Sequence, residues 1–154
     1  MSDVLLRTLS IREYRIGDES RLHGIDQLCF DSDIAFTKSE LRFNLHQPDS
    51  ISCVAERQGE IIGFVLGRVS NGREAHVITL DVLPKARRQG IGTLLMDALH
   101  AKFRDKRVVL SVLEVSTRNL SAQYLYQALG YEVVDTLRGY YNGREDAYRM
   151  IRAF

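Results

Sequence analysis

Three groups of side chains in this sequence have the types and spacing to do chemistry. The first is Arg87-Arg88-Gln89-Gly90-Ile91-Gly92, which falls between a strand pattern and a helix start. The leading N–H groups of a helix have no partner within it, and the aligned peptide dipoles place about half a positive charge there. Two glycines let the backbone come close to an anion, and two arginines add positive charge at the mouth. The segment describes an anion site suited to a pyrophosphate. The same glycines also serve a plainer purpose, easing a turn and letting the helix pack close to the sheet. The spacing is not a dinucleotide fingerprint, which needs a third glycine, and Gly-Lys-Ser/Thr occurs nowhere in the chain.

The second group centres on Glu114, in phase with Val108, Leu110 and Val112 on one face of a strand. A carboxylate ending such a face is either a solvated strand tip or a partly buried acid. Burial would raise its pKa and suit it to accept a proton near neutral pH. His76 shares a strand face with Ile78 and Leu80 by simple alternation, a position more typical of a packed or solvent-facing side chain. The third group is Tyr126, in phase with Ala122 and Leu129 on a helix, a position equally typical of core packing. Tyr124 is out of phase, and Asn119 stands where it can cap that helix. His23, His46 and His100 are scattered without metal-ligand spacing, so no metal is expected. Cys29 and Cys53 form no CxxC motif and read as two buried thiols of a reducing compartment.

The elements that must position these groups are legible from periodicity. A strand is expected over 6–14, then a helix opened by Gly17-Asp18-Glu19 with Leu22, Ile25 and Leu28 as its apolar stripe. Thr37-Lys38-Ser39-Glu40 has the form of a capping box and predicts a second helix through Leu41 and Leu45. Strands over 52–56, 60–69 and 74–82 follow in meander order, with turns at Gln58-Gly59 and Asn71-Gly72. Ile91, Leu95, Leu99 and Phe103 recur every four residues, the stripe of an amphipathic helix. A strand over 108–115 leads to the Ala122–Leu129 helix, which Gly130 should end in a left-handed cap. Strands over 131–137 and 147–151 close the chain around 140–143. The order β-α-α-β-β-β-α-β-α-β-β implies a mixed sheet with at least one parallel pair and a right-handed crossover.

Composition narrows the function classes. The 154 residues correspond to about one domain, and no linker or repeat divides them. Hydrophobic residues make up 45% and charged residues 27%, a globular mix. Lys and Arg number 21 against 20 Asp and Glu, so the chain lacks the excess charge of a dedicated nucleic-acid or polybasic membrane binder. The N-terminus has no basic start followed by a long apolar run, and the longest apolar stretch, 61–67, is far short of the ~18 residues a membrane helix needs. A soluble, cytoplasmic protein is expected.

The stretch Leu80-Asp81-Val82-Leu83-Pro84-Lys85-Ala86-Arg87-Arg88-Gln89-Gly90-Ile91-Gly92-Thr93-Leu94-Leu95 resembles the acetyl-CoA motif of the GNAT acetyltransferases. The family's Gln/Arg-x-x-Gly-x-Gly/Ala is met by Arg87, Gly90 and Gly92. The resemblance covers nearly the whole chain and implies the GNAT fold, an α/β (α+β) domain with a mixed sheet of about seven strands flanked by about four helices. It also implies that Arg87, Arg88, Gln89, Gly90, Ile91, Gly92 and Thr93 bind the coenzyme A pyrophosphate, while Leu80, Asp81 and Val82 pair with the pantetheine arm.

The second half of the chain resembles the ribosomal-protein-alanine N-acetyltransferases and archaeal protein N-terminal acetyltransferases. The resemblance rests on Leu113-Glu114-Val115, Asn119, Leu125-Tyr126 and Leu129-Gly130-Tyr131, and on Gly139-Tyr140-Tyr141 followed by Gly143-Arg144-Glu145-Asp146-Ala147-Tyr148. It implies Glu114 as general base, often through water, and Tyr126 as hydrogen-bond donor to the departing thiolate. Asn119 would lie against the pantetheine arm or a site water. Tyr140 and Tyr141 would close a slot around the acceptor peptide, with the loop over 30–36, including Asp31 and Phe36, as the opposite wall. His76 stands where some eukaryotic relatives carry a different residue acting as a base, which makes it a secondary candidate.

Two departures fall near the acceptor side. The loop lacks the Pro-Trp pair of the bacterial pattern, and Asp81 replaces a small or apolar residue. Asp31, Asp33 or Asp81 would be available to attract a cationic amine. The implied activity is direct transfer of acetyl from acetyl-CoA to the N-terminal α-amine of a protein, without a cysteine intermediate. Acetylation of a small amine (a polyamine, amino acid or antibiotic) and non-catalytic acyl-CoA binding are the alternatives. The sequence gives no oligomeric state.

Overall fold

A computed structural model of the chain describes residues 8–71 and 73–154. The strands are β1 (Leu9–Glu13), β2 (Ser50–Arg57), β3 (Glu60–Ser70), β4 (Glu74–Val82), β5 (Leu110–Ser116), β6 (Glu132–Tyr141) and β7 (Glu145–Ala153). The α-helices are α1 (Glu19–Cys29), α2 (Lys38–Leu45), α3 (Ile91–Asp105) and α4 (Leu120–Ala128). Short 3-10 turns occupy Ile16–Asp18 and Pro84–Ala86. One seven-stranded sheet runs β1-β2-β3-β4-β5-β7-β6, antiparallel except for β4 and β5. The expected order and mixed sheet are therefore observed. The first two residues of the expected opening strand, and Gly72 of the Asn71-Gly72 turn, lie outside the described residues.

The local signals that set the helices act as the residue types require. Thr37 Oγ1 accepts from the Glu40 amide and the Glu40 carboxylate accepts from the Thr37 amide, so both partners of the capping box are engaged. In α3, Ile91, Leu95, Leu99 and Phe103 are all buried, each contributing about 1.5–3 kcal/mol of transfer free energy. Gly130 takes φ +92° after α4, the expected left-handed stop. One helical position differs. Leu28 is 64% exposed, because the buried stripe of α1 runs through Leu22, Ile25 and the polar Asp26 instead.

Two features of β4 create the site. Leu66 of β3 pairs with Thr79 while Gly67 pairs with Val77, so Ile78 is an extra residue in β4. Such a bulge shifts the side-chain alternation of its strand. Gly67, opposite Val77, faces Phe103 and Leu99 of α3. Arg68, opposite His76, reaches Asn44 of α2. Beyond the bulge, Leu80 approaches Gly92 of α3 while Asp81 faces Asp26 of α1. His76 and Leu80 therefore point to opposite sides of the sheet, correcting the expectation of simple alternation.

The second feature is a fork. β4 and β5 pair only over Glu74–Val77 and Leu110–Leu113. Beyond that the strands part, and β4 continues through 78–82 with β3 as its one strand partner among the described residues. α1 and α2 pack on β2–β4, so the same side of β5 is left half-open.

Candidate active site

The anion cradle sits at the end of this fork. Gly90 is the N-cap of α3, at φ +77° with no side-chain cap, and a Cβ there would meet nothing within 4 Å. The first-turn N–H groups are left for an outside acceptor. Arg88 also takes a left-handed φ of +64°, which turns the loop so that the amides follow one another around it. Arg57 Nη1 donates to Gln89 Oε1 at 2.7 Å, so Gln89 is a brace for the loop and its side-chain oxygen is already engaged. Arg87 Nε donates to the Val82 carbonyl at 3.1 Å, and both Arg87 and Arg88 are exposed. Ile91 is buried in the core and offers only its backbone, whereas Thr93 is half-buried beside it. Gly92 has a packing reason of its own, since a Cβ would come 3.2 Å from Leu125 of α4. The uncapped helix end, the open space at Gly90 and the strand edge at Leu80 and Val82 fit a pyrophosphate carried on an extended amide-bearing arm.

Asp81 does not face that arm or the acceptor. It is 1% exposed, and its carboxyl turns into the core toward Asp26. The expectation that it attracts a cationic amine is corrected by burial.

Glu114 lies where β5 leaves β4, with its side chain 7% exposed. His76 Nε2 is 2.6 Å from Oε1, the Tyr140 hydroxyl donates to the same oxygen at 3.2 Å, and Arg149 Nε donates to Oε2 at 3.3 Å. Burial pushes the carboxyl up, but the His76 hydrogen bond and charge, with Arg149 behind them, outweigh it and hold Glu114 below the usual carboxylate range. The expected upward shift is thus reversed by partners the sequence did not reveal. The face Glu114 shares with Leu110 and Val112 is the half-open one, while Ser111, Leu113 and Val115 fill the core.

Tyr126 is buried, with its ring edge-on to Tyr131 at 6.0 Å. Burial first, and the neighbouring Asp81 and Tyr131 next, push its phenol well above its ordinary value, so the hydroxyl keeps its proton. Asn119 caps α4, its Oδ1 accepting from the Ala122 amide at 3.2 Å. Cys29 donates to the Val82 carbonyl at 3.3 Å, and burial raises its thiol to about 11, which leaves it a poor nucleophile. Cys53 is buried, and both cysteines are free. Among the described residues no cluster of His, Cys, Asp and Glu is placed to hold a metal. No helix among them is long and apolar enough to cross a membrane.

The two segments expected to wall the acceptor side are tied to each other, and Tyr140 on one of them reaches Glu114. The loop over 30–37 turns on the Asp31 carbonyl, which accepts from the Ile34 and Ala35 amides, and it is pinned at Phe36 from both sides. The Phe36 amide donates to Asp26 Oδ2 at 2.7 Å, and its carbonyl accepts from Gln27 Nε2 at 2.8 Å. On the other segment, Tyr140 and Tyr141 pack edge-to-face at 4.9 Å. The two segments meet, for Asn142 Nδ2 donates to the Asp33 carbonyl at 2.9 Å and Arg144 lies 3.5 Å from the Asp33 carboxylate. Asp33 is thereby engaged, while Asp31 is exposed. Asp26, Arg149 and Asn142 were not singled out from the sequence. Asp26 is hidden as a polar residue beside Ile25 on an apolar helix stripe, but Arg149 follows directly on the tail motif ending at Tyr148.

This fold is shared with known proteins. The family model of the acetyltransferase (GNAT) family matches residues 14–131. An N-alpha-acetyltransferase of Sulfurisphaera tokodaii is 32% identical over 155 residues, covering 90% of this chain and 92% of its own. The NAA10 catalytic subunit of the Arabidopsis thaliana N-terminal acetyltransferase A complex is 30% identical, covering 91% of this chain and 75% of its own. Among solved structures, Ard1 from Thermoplasma volcanium superimposes with a TM-score of 0.87 at 26% identity, covering 95% of this chain and 97% of its own. The ribosomal-protein-S18-alanine N-acetyltransferase of Escherichia coli gives 0.85 at 25% identity, covering 94% and 93%. The chain belongs to the GNAT family. It is an N-acetyltransferase whose cosubstrate is acetyl-CoA.

Proposed function

We propose that the acceptor is the N-terminal α-amino group of a protein or peptide, with Glu114 as the base and Tyr126 as the acid. The observation that carries this reading is the cluster on Glu114, an ionised carboxylate held by His76, Tyr140 and Arg149. The relatives named N-alpha-acetyltransferase support the same acceptor class.

When bound, acetyl-CoA supplies an acetyl group on a thioester. Arg87, Arg88, Gly90, Gly92 and Thr93 would hold its pyrophosphate end through the α3 amides, and the edge of β4 at Leu80–Val82 its arm. Glu114 takes a proton from the incoming amine, directly or through water, leaving a lone pair that forms the new N–C bond as the C–S bond breaks. The proton held at Tyr126 is available to the leaving sulfur, which would otherwise depart as an unpartnered thiolate. An α-amine, with a reference pKa of about 8, is neutral far more often at pH 7 than a lysine at about 10.4. The hydrogen bond from Asn142 to the Asp33 carbonyl joins the loop carrying Phe36 to the hairpin carrying Tyr140 and Tyr141, which supports a slot between them for the narrow end of a chain.

The test is mass spectrometry of products from a panel of peptides, polyamines and free amino acids. Modification at peptide N-termini is expected. Acetylation mainly on internal lysines, or on small amines alone, overturns the acceptor assignment.

A further inference from the structure

Behind the loop over 30–37, two buried carboxyl groups face each other. Asp26 of α1 is 0% exposed and Asp81 of β4 is 1% exposed, and the two side chains are neighbours. Each has one oxygen engaged. Asp26 Oδ2 accepts from the Phe36 amide at 2.7 Å, and Asp81 Oδ1 accepts from Thr79 Oγ1 at 2.5 Å. Among the described residues, each also has one buried oxygen without a protein partner, Asp26 Oδ1 and Asp81 Oδ2.

Two ionised carboxylates cannot both occupy such a place, because each lacks solvent and repels the other. A single proton between the two orphaned oxygens turns one into a donor and satisfies both. Burial, then Asp26, holds the Asp81 carboxyl far above its ordinary value, in keeping with an acid that stays protonated. The other groups around the pair are Thr79 on β4, Arg87 beyond it, Cys29 on α1 and Tyr126 on α4. Of these, Arg87 is the nearby cation, and its guanidinium is exposed and bonded to Val82.

The placement gives the pair a task. Asp26 carries the amide of Phe36, the residue that pins the acceptor loop, while Asp81 belongs to the strand segment that borders the fork. One turn along α1, Cys29 ties the same helix to the Val82 carbonyl. We propose that Asp26 and Asp81 share one proton and act as positioning residues, clasping the acceptor loop to the cofactor strand so that the acceptor wall keeps its place. The proposal rests on the reading of the loop over 30–37 as an acceptor wall.

Asp81→Asn separates this role from mere filling of space. Its amide can accept from Thr79 and donate to Asp26 without any exchangeable acid proton, so the clasp is retained. Asp81→Ala leaves Asp26 buried without a partner. Three readouts on the full-length protein decide the matter. The infrared carbonyl band of a protonated carboxylic acid should be present in the wild type at neutral pH and lost in Asp81→Asn. Hydrogen exchange at the Phe36 amide should accelerate at least tenfold in Asp81→Ala and stay near wild type in Asp81→Asn. Where peptide turnover is measured, the wild-type acceptor KM should rise on the alkaline side as the shared proton is lost, with acetyl-CoA affinity unchanged, and Asp81→Asn should flatten that rise.

An absent infrared band, or an Asn variant whose loop exchanges as fast as the Ala variant, overturns the clasp. An unchanged alkaline KM profile in Asp81→Asn does so as well. The first two measurements need no substrate, so they distinguish failure of the clasp from failure of the peptide acceptor. Should Asp81→Ala not fold, the infrared band and the Asn variant still decide it.

Discussion

His76 Nε2 and Glu114 Oε1 lie 2.6 Å apart, across the last point at which β4 and β5 run together. The contact joins a side chain placed before the bulge to one placed at the mouth of the fork. It helps hold the carboxyl below its ordinary range against a burial that pushes it up. A base held in this way would stay available over a wide pH range while being weaker than an isolated buried carboxylate.

This relationship makes the pH profile of His76→Ala diagnostic. With His76 gone, the downward pull from its hydrogen bond and charge is lost, while desolvation of Glu114 remains. The carboxyl should titrate at higher pH, and the acid limb of kcat should move upward with it. Glu114→Gln, which cannot accept the proton at all, should lose about 10²–10⁴-fold in rate, with acetyl-CoA affinity nearly unchanged. Pre-steady-state rates across pH check both. A limb that stays put in His76→Ala, or wild-type turnover in Glu114→Gln, removes the pair from this role.

A second prediction concerns the cradle. Gly90 holds φ +77° in open space, so Gly90→Val imposes a left-handed penalty of roughly 1–2 kcal/mol and places a branched side chain at the helix mouth. Acetyl-CoA affinity by calorimetry should fall at least tenfold, which is about 1.4 kcal/mol. Gly92→Val should weaken binding by a different route, pushing α4 away through Leu125 and costing thermal stability as well. Affinity unchanged in Gly90→Val would show that the anion lies elsewhere.

Periodicity and punctuation made the scaffold legible. The four-residue stripe of α3, the Thr37–Glu40 capping box and the stop at Gly130 are local signals, and each acts locally. The bulge at Ile78 escaped such reading because it depends on how β3 and β4 align, and it reverses the phase that simple alternation gives His76 and Leu80. Glu114 was recognisable as a candidate from its strand phase. The sign of its pKa shift was not, since it depends on His76 reaching across from β4 and on Arg149 arriving from β7, later in the chain. Asp81 misled for the same reason, because its partner lies on a helix far earlier in the sequence.

Stability should also report a network away from the site. His100 on α3 is buried, with Arg152 Nη1 2.8 Å from its Nδ1 and the Tyr131 hydroxyl 2.8 Å from its Nε2. Tyr131 in turn lies 2.7 Å from Ser111 Oγ. Arg152 can only donate, so Nδ1 must be unprotonated, and burial together with Arg152 pushes the imidazole down to about 4. The unfolded chain, titrating near 6.5, binds the proton more readily than the folded one between those values. Stability should therefore be complete above about pH 6.5 and decline as pH falls toward 4, by about 3 kcal/mol from this group. Denaturant titrations over that range check it. A His100→Gln variant, lacking the imidazole, should show a flatter acid dependence, and an equally steep one would assign the loss to other groups.

The last prediction separates the acceptor wall from the cradle. Tyr141 packs edge-on against Tyr140, whose hydroxyl reaches Glu114, so the two rings connect the hairpin tip to the base. Tyr140→Phe removes one hydrogen bond to a charged oxygen while keeping the ring, a loss of order 1.5–3 kcal/mol at most. It should affect kcat through Glu114, whose carboxylate loses a donor and titrates at slightly higher pH. Tyr141→Ala removes the neighbouring ring and with it one side of the slot. Its main effect should be on the acceptor KM, raised tenfold or more for a peptide, with acetyl-CoA affinity within about twofold of wild type because the α3 amides and Arg57–Gln89 brace are untouched. Steady-state kinetics with each substrate varied in turn provide the measurement. If Tyr141→Ala raises the KM for acetyl-CoA as much as that for peptide, or leaves both unchanged, the tyrosine pair does not form the acceptor wall.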